Sequence, residues 1–519
     1  MRKGSRILVK TLAECGVDTV FGYPGSYVLD VYDELYASSG KIRHFETCHE
    51  QHACHAADGF SRAAGRAGVV LATSGPGATN LVTGIACAYM DSVPLVAITG
   101  NVPLAILGKD NFQEVDITGI TMPVTKHNFI VHDVSELEET VVRAFEIAES
   151  GRKGPVLIDL PHDVLTGRAD VRGLKKAVLP PPCATDEQVR GAAQLLSAAK
   201  RPLLLAGGGV SGEALKAFVS ATGIPVCHTM TACAAAGGLS TRVGMVGLWG
   251  DARANRAVSE CDLLLAVGTR FSDRVTNALP NIGRRAVIHV DLDRAELGKN
   301  VPPALAVCGD AGDFLARLVR ELVGFRATDW TESAEMEQGW DGEFPQALAE
   351  ALESLRGLGE QINLATDVGF HQVFAAKNFP FLPGDKFVSS CGLGAMGFGL
   401  GGAMGAYLAN GKPTALITGD GSFRMNLSEL VTVARYRLPL TVVVCNNRSL
   451  GMVRRLQEIR FGGRIFETDG VETDFAAVAR GFGIPAERTD DPARLAELLA
   501  SRRGADSPLV IDFLTGRLS

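Results

Sequence analysis

The sequence is poor in the features that mark secreted, membrane-spanning or nucleic-acid-binding chains. Its 11 cysteines are scattered without a Cys-x-x-Cys pair, so we expect no disulfide framework and a reducing, cytoplasmic setting. No apolar run approaches the roughly 18 residues that span a bilayer, and no apolar stretch follows the basic N-terminus as in a signal peptide. With 51 Lys and Arg against 58 Asp and Glu, the net charge of −7 argues against nucleic acids and membranes as partners.

The composition is instead that of a large globular enzyme. At about 100–200 residues for each domain, 519 residues predict about three domains. Glycine is abundant, with 59 residues, whereas aromatic residues make up only 6% of the chain. Glycine-rich turns between runs of Val, Ile, Leu and Ala are typical of α/β enzymes that bind phosphate-bearing ligands.

Two breaks divide the chain into three segments. The first break, at 167–185, contains three consecutive prolines (180–182), which favour an extended linker. The second, at 326–344, is polar and acidic and contains Trp330 and Trp340. Each segment alternates short β-branched runs with helical patterns, which predicts the α/β class with three doubly wound parallel-sheet domains. We expect these domains at 1–167, 186–325 and 345–519.

The strongest motif lies at the ends of two expected strands. Gly419-Asp420-Gly421 follows the first strand, and Asn446-Asn447 follows the second, 24 residues (422–445) later. The carboxyl ends of parallel strands are where open sheets bind ligands. Asp420, Asn447 and the main-chain oxygen of Ser449 are hard oxygen ligands, suited to Mg²⁺ or Ca²⁺ carrying a diphosphate. Either pair alone would indicate only a turn; their spacing after two strands favours the ligand site.

This spacing resembles the thiamine diphosphate (ThDP) motif of ThDP-dependent enzymes. Over nearly the whole chain, the sequence is similar to the catalytic subunits of the acetohydroxyacid (acetolactate) synthase family. The stretches that carry the resemblance are 21–25, 49–51, 56–59, 72–84, 112–123, 125–129, 259–265, 295–300 and 366–369. The resemblance implies that the three domains bind the ThDP pyrimidine, FAD and the ThDP diphosphate, in that order. It also implies decarboxylation of pyruvate and transfer of the hydroxyethyl unit to a second 2-keto acid, in branched-chain amino-acid biosynthesis.

The resemblance assigns roles to particular residues. Glu50 would hydrogen-bond N1′ of the aminopyrimidine, where a buried carboxyl can share a proton. Gln113 would line the substrate pocket, and Arg274 would receive the carboxylate of the second keto acid, which a guanidinium fork fits. Met396 would wedge ThDP into its bent form. The other implied ThDP contacts are Pro24, Gly25, Thr73, Val368, Gly369, His371, Gly394, Gly421, Ser422 and Met452, and the implied Mg²⁺ ligands are Asp420, Asn447 and Ser449.

The central segment carries the resemblance to an FAD-binding domain. Two G-x-G-x-x-G matches, at 207–212 and 392–397, are weak as dinucleotide fingerprints, and no acidic residue lies about 20 residues beyond Gly212. In the family, FAD is structural, and the ThDP site forms across a dimer interface. We therefore expect a homodimer or tetramer acting on small 2-keto acids, with a small regulatory subunit left open. The implied FAD contacts are Arg152, Gly207, Gly208, Thr229, Gly268, Arg270 and Asp291.

A histidine cluster offers a competing interpretation of the Glu50 region. His49, His52 and His55, with Cys54 beside them, could hold zinc. On an ideal helix, however, three residues spaced by three drift around the axis by about 60° at each step. We therefore favour helix packing over metal binding for these side chains.

Several positions depart from the family pattern, mostly in the substrate channel. Leu456 stands where the family has a Trp that favours 2-ketobutyrate, and Tyr27 stands where a small residue lies beside the thiazolium. Leu248 and Trp249 replace a Met and a His near the FAD. The chain also ends soon after Asp512, without the longer tail that helps to close the family's site. The remaining departures are His162, Asn101 and Phe370.

These departures leave three functional interpretations open. The first is an acetolactate synthase with little preference for 2-ketobutyrate over pyruvate. The second is another ThDP-dependent decarboxylase or carboligase with a different acceptor, and the third is a non-catalytic paralogue. Whether the pathway would be anabolic or fermentative is also open.

Overall fold

In the part of the chain that the structure describes, the fold is built on three six-stranded sheets, each parallel throughout. The computed structural model describes residues 1–38, 40–331, 349 and 352–515. It confirms the predicted α/β class with three parallel-sheet domains. Much of the second expected break, including Trp340, lies outside the described residues, and the domain bounds 1–167, 186–325 and 345–519 remain a proposal.

The first domain carries helices on both faces of its sheet. Side chains alternate along its buried strands, so that Val69 and Leu71 enter one core and Val70 and Ala72 the other. Its strands are Thr19–Gly22, Arg43–Glu46, Gly68–Ala72, Leu95–Asn101, His127–Ile130 and Pro155–Pro161. Its helices, including short 3₁₀ turns, are Gly4–Glu14, Ser26–Val28, Leu29–Ala37, Glu50–Ala64, Pro76–Asn80, Val82–Met90, Leu104–Ile106, Ile117–Thr121, Met122–Val124, Val134–Glu136, Leu137–Glu149 and His162–Thr166. A separate antiparallel pair joins Arg2–Lys3 to Arg168–Ala169.

The central domain follows residues 170–185, which form neither helix nor strand. Its inner strands are continuous apolar runs, as expected for parallel strands covered on both faces. The strands are Pro202–Ala206, Val226–His228, Arg242–Met245, Leu263–Val267, Ala286–Asp291 and Leu305–Cys308. The helices are Asp186–Ala198, Gly212–Thr222, Met230–Ala232, Ala252–Glu260, Asp273–Thr276, Ile282–Arg284 and Ala311–Glu321.

The third domain also packs one hydrophobic core on each face of its sheet. Its strands are Asn363–Thr366, Lys386–Val388, Thr414–Gly419, Leu440–Asn446, Ala486–Thr489 and Leu509–Leu514. Its helices are Leu355–Leu358, Phe370–Asn378, Phe398–Asn410, Asp420–Arg424, Leu427–Glu429, Leu430–Arg435, Gly451–Phe461, Phe475–Gly481 and Pro492–Ala500. No helix among the described residues is both long enough and apolar enough to cross a membrane.

The strand orders determine where each sheet opens a crevice. Numbered along the chain within each sheet, the strands lie in the order 2-1-3-4-6-5 in the first and third domains and 3-2-1-4-5-6 in the central domain. In each sheet the order reverses beside the first strand, and the loops that leave the two flanking strands diverge there. Open parallel sheets bind ligands at this point. The topology therefore predicts one binding crevice in each domain.

Two helices join the first domain to the third. Glu50–Ala64 packs against Phe398–Asn410 with glycine at the contact. A Cβ atom added at Gly59 would lie 2.1 Å from the carbonyl oxygen of Gly402, and one added at Gly405 would lie 1.8 Å from that of Ala56. Only glycine allows the two backbones to approach so closely, so these contacts fix the relative position of the two domains.

Candidate active site

The first crevice surrounds Glu50, which begins the helix Glu50–Ala64 and is buried. An acidic residue in the first turn suits the positive end of the helix dipole. The Asn80 side-chain amide donates a 2.9 Å hydrogen bond to Oε2 of Glu50. A Cβ atom at Gly77 would lie 3.2 Å from Oε1. Glycine at 77 therefore keeps space open beside the Glu50 carboxylate. The Asn80 hydrogen bond orients that carboxylate.

The loops that leave the first and third strands of this sheet meet near Glu50. A Cβ atom at Gly25 would lie 2.5 Å from Cβ of Thr73, which explains why glycine follows Pro24. Gln113 has a positive φ of 60°, and a Cβ atom at Gly75 would lie 2.8 Å from its carbonyl oxygen. The structure thus brings Pro24, Gly25, Thr73 and Gln113 into the neighbourhood of Glu50.

Two aromatic side chains lie on the loops around this crevice: Tyr27 packs against another ring, and Phe112 is exposed. The Tyr27 ring packs edge-on against the His162 ring, with the centroids 6.2 Å apart. The departures at Tyr27 and His162 therefore lie in contact with each other. Phe112 is 80% exposed, so its side chain is open to solvent in the single chain.

The third crevice is a pocket at the carboxyl ends of Asn363–Thr366, Thr414–Gly419 and Leu440–Asn446. It gathers ten of the residues that the sequence predicted for ThDP and Mg²⁺. These are Val368, Gly369, His371, Met396, Asp420, Gly421, Ser422, Asn447, Ser449 and Met452. The other lining residues are Phe370, Gly419, Cys445, Leu450, Gly451, Val453 and Thr515.

Two buried polar atoms in this pocket have no hydrogen-bond partner among the described residues, namely Oδ2 of Asp420 and Nε2 of His371. Burial raises the pKa of Asp420 to about 6, although Arg424 opposes the rise, with Nη2 3.7 Å from Oδ2. Burial lowers the pKa of His371 to about 4. A buried carboxylate oxygen without a donor is costly unless a cation or proton satisfies it. The pocket therefore suits a divalent cation.

The other two predicted ligands lie beside Asp420. The side-chain oxygen of Asn447 accepts a 3.0 Å hydrogen bond from the Ser449 amide, which closes a tight turn. That oxygen retains a second lone pair for a metal ion. One carboxylate, one amide oxygen and one main-chain oxygen form a donor set typical of Mg²⁺ with a phosphate ligand.

Glu50 does not line this pocket, and none of the lining residues comes from the first domain. Gly394 and Arg274 lie near its edge. A Cβ atom at Gly394 would be 3.8 Å from Cγ1 of Val368 and 3.5 Å from Nη2 of Arg274. The structure thus brings Arg274 of the central domain to the third-domain loop but keeps the two predicted halves of the ThDP site in separate crevices.

The central crevice opens into a cavity of 1310 Å³ whose walls come from all three domains. The strands Pro202–Ala206 and Leu263–Val267 end at its floor, where a Cβ atom at Gly207 would lie 2.1 Å from the carbonyl oxygen of Gly268. Arg152 is already bound by Glu296, at 2.7 Å. All seven predicted FAD contacts line this cavity, namely Arg152, Gly207, Gly208, Thr229, Gly268, Arg270 and Asp291.

Two departures from the family pattern lie between this cavity and the third-domain pocket. Trp249 lines the cavity, and Phe370 lines the pocket. Their rings pack edge to face with centroids 6.2 Å apart. The two crevices are therefore separated by an aromatic contact that the sequence did not predict.

The histidine cluster has protein partners. Nδ1 of His52 lies 3.1 Å from Oε1 of Glu429. His55 packs against Phe398, with ring centroids 5.1 Å apart, and burial lowers its pKa to about 3. In the described part of the chain, no three His, Cys, Asp or Glu side chains are arranged to hold a metal ion. These contacts fit the helix-packing interpretation.

Sequence reasoning missed several polar residues that support the crevices. Asn80 lies within the stretch 72–84 that carries the family resemblance, which was the signal for it. Glu429 accepts hydrogen bonds from the amides of Cys48 and His49, at 2.8 and 3.0 Å, just before Glu50. Its partners lie about 380 residues away in sequence, so no local pattern could indicate the contact.

The chain is similar to known proteins over nearly its whole length. Three family models of thiamine pyrophosphate enzymes match the chain. They are the N-terminal TPP binding domain at 2–120, the central domain at 189–318 and the C-terminal TPP binding domain at 367–513. The chain is 40% identical over 549 residues to a probable acetolactate synthase large subunit of Methanocaldococcus jannaschii, covering 99% of this chain and 92% of that protein.

Two further relatives show similar coverage. The acetolactate synthase large subunit of Parasynechococcus marenigrum is 42% identical over 537 residues, covering 98% of this chain and 87% of its own length. The acetolactate synthase isozyme 2 large subunit of Escherichia coli is 40% identical over 523 residues, covering 98% of this chain and 94% of its own length.

Proposed function

This chain belongs to the thiamine pyrophosphate enzymes and, within them, to the acetolactate synthase large-subunit family, and from that premise we propose that it converts two pyruvate molecules into 2-acetolactate and CO₂. With 2-ketobutyrate as acceptor, the product would be 2-aceto-2-hydroxybutyrate. The observation that carries the proposal is the third-domain pocket, where Oδ2 of Asp420 has no hydrogen-bond donor among the described residues and lies with nine other predicted ThDP and Mg²⁺ contacts. ThDP, when bound, supplies the carbanion chemistry by which a 2-keto acid loses CO₂.

In this proposal the residues of the third domain hold the diphosphate end of the cofactor. Asp420, Asn447 and the main-chain oxygen of Ser449 bind Mg²⁺. Gly421 and Ser422 lie at the start of the helix Asp420–Arg424, whose amides can face a phosphate. Met396 lines the same pocket and would pack against the bound cofactor.

Glu50 and Arg274 perform the remaining proposed steps. Glu50 holds the proton at N1′ of the pyrimidine, and the Asn80 hydrogen bond fixes the carboxylate that does so. Arg274 binds the carboxylate of the acceptor, since its guanidinium lies beside Gly394 at the edge of the pocket. Gln113 bounds the acceptor on the first-domain side.

A second copy of the chain would complete each site. The third-domain pocket has no wall from the first domain, so Glu50 of a partner chain is needed to face it. Large apolar side chains are exposed around both halves, as expected for surfaces that become buried on association. These side chains are Tyr23, Phe112 and Met122 in the first domain and Leu393 and Met425 in the third.

The central cavity supports FAD as a further cofactor. Its volume, its close glycine floor and its seven predicted contacts fit a large flat ligand with a diphosphate. Arg152 would have to share its guanidinium between FAD and Glu296. Retention of flavin absorbance by the purified protein through gel filtration would support this cofactor.

We also propose that the protein has a small-subunit partner and lies in the cytoplasm. The relatives are named large subunits, which supports a separate small subunit as a partner. All 11 cysteines are free thiols in the structure, which supports a cytoplasmic location.

The first experiment measures acetolactate formed from pyruvate with ThDP and Mg²⁺, with and without FAD. Formation of acetolactate that depends on ThDP supports the proposal. CO₂ or acetaldehyde without acetolactate would favour the alternative, a ThDP enzyme with a different acceptor, and no turnover of any 2-keto acid would favour a non-catalytic paralogue. Glu50→Gln should lose most activity and keep the fold, whereas the exposed control Glu139→Gln should keep both.

Mixing two inactive variants tests whether a site uses two chains. Glu50→Gln and Asp420→Asn chains are unfolded together, refolded and assayed. If each site takes Glu50 from one chain and Asp420 from the other, mixed dimers regain one intact site. No recovery of activity, with mixed dimers demonstrated by mass, would contradict the shared site.

A further inference from the structure

The loop that carries Gly394 and Met396 is held at two points by its own domain. The Ser390 hydroxyl accepts 3.2 Å hydrogen bonds from the amides of Gly394 and Ala395. The Gly397 amide donates a 2.9 Å hydrogen bond to Oδ1 of Asp367. These bonds fix the middle and the end of the loop, but neither fixes the turn at 391–392 where the loop begins.

The first domain holds that turn. Asp91 follows the helix Val82–Met90, and its carboxylate accepts from two successive loop amides. Cys391 N lies 3.0 Å from Oδ2, and Gly392 N lies 2.7 Å from Oδ1. A Cβ atom at Gly392 would lie 2.7 Å from the same Oδ1, so residue 392 must be glycine for the carboxylate to approach.

A buried cation holds Asp91 in place. The Asp91 side chain is only 2% exposed, and Nη2 of Arg62 binds its Oδ2 at 2.9 Å. Arg62 also binds Asp58, with Nε 2.5 Å from Oδ1. Both aspartates therefore share one guanidinium, but the side-chain hydrogen bonds of Asp58 in the described chain go to Arg62 and not to the loop.

We propose that Asp91 is a positioning residue for cofactor binding, which presents Met396 to the third-domain pocket by fixing the first turn of its loop. The inference rests on the proposed function, because it assumes that ThDP occupies that pocket. Charge-assisted hydrogen bonds to two neighbouring amides fix both the position and the direction of a turn. Asp91 belongs to the first domain, so the placement of this loop also depends on how the first and third domains pack.

Two aspartate variants separate this role from general stability. Asp91→Asn leaves one amide of the turn without an acceptor, whereas Asp58→Asn weakens the contact between Arg62 and Asp58 and leaves the turn intact. Titration of ThDP with Mg²⁺ should show affinity about tenfold lower for Asp91→Asn, as expected for a loss of about 1.4 kcal/mol. Asp58→Asn should bind within about twofold of the wild type. At saturating ThDP, Asp91→Asn should lower kcat for pyruvate with KM unchanged.

Hydrogen–deuterium exchange gives a readout that needs neither cofactor nor activity. In the free protein, exchange at 391–397 should be faster in Asp91→Asn and unchanged in Asp58→Asn. Wild-type exchange and wild-type ThDP affinity in Asp91→Asn would overturn the inference, as would equal loss of affinity in both variants. A wild-type protein that does not bind ThDP would refute the proposed function instead.

A third variant covers the case in which Asp91→Asn fails to fold. Gly392→Ala places a methyl group against the same carboxylate from the loop side. It should reproduce both the lower ThDP affinity and the faster exchange at 391–397. Wild-type values in Gly392→Ala would overturn the inference as well.

Discussion

The glycine contact between Glu50–Ala64 and Phe398–Asn410 makes a sharp prediction for Gly405→Ala. The added Cβ would lie 1.8 Å from the Ala56 carbonyl oxygen and 2.7 Å from the Phe60 amide nitrogen. The helices would have to separate by more than about 1 Å, and overpacking of this kind costs about 1–3 kcal/mol. Alanine gains about 0.5–1 kcal/mol over glycine within a helix. A contact of 1.8 Å puts the overpacking cost at the upper end of this range, so we expect a net loss of about 2–2.5 kcal/mol.

Gly191→Ala is the matched control. Gly191 lies inside the helix Asp186–Ala198, and its added Cβ would lie 3.8 Å from the nearest side-chain atom, an ordinary contact. This variant should gain about 0.5–1 kcal/mol from helix propensity alone. Thermal unfolding of both variants should thus shift the apparent Tm in opposite directions. An unchanged or higher Tm for Gly405→Ala would refute the close backbone approach between the two domains.

Three further changes test other parts of the structure. Glu429→Gln removes the charge that binds the amides of Cys48 and His49, and should cost about 1–3 kcal/mol in thermal unfolding; wild-type stability would contradict this role. Burial raises the pKa of Asp159 to about 7, so the folded chain binds the proton more tightly than the unfolded chain. The stability of the wild type relative to Asp159→Asn should therefore fall as pH rises from 3.8 to about 7, and a pH-independent difference in Tm would contradict the shift. Leu456→Trp should raise the preference for 2-ketobutyrate over pyruvate by about 10–200-fold in direct competition, and an unchanged ratio would show that position 456 does not contact the acceptor.

The sequence predicted the features that depend on local pattern. Apolar runs such as Pro202–Ala206 could be identified because parallel strands are buried on both faces. Asp420 and Asn447 could be paired because each follows such a strand, and strand ends share one edge of a sheet. The structure brings both into one pocket, as expected from that spacing.

Features that depend on contacts between distant segments could not be predicted. Asp91 and Gly392 are 301 positions apart, and nothing around either residue signals the other. The pattern of Gly401, Gly402 and Gly405 indicates a helix with a small face, but it does not say which helix will cover that face. The family resemblance put Tyr27 beside the thiazolium, whereas the direction of its ring, toward His162, depends on the first residue of the distant helix His162–Thr166.

The shared strand order of the first and third domains bears on the origin of the chain. Two domains with the order 2-1-3-4-6-5 are what duplication of a single ancestral domain would leave, whereas the central domain, with its different order, would be a separate acquisition. In both domains the crevice lies at the same topological position, beside the first strand of the sheet.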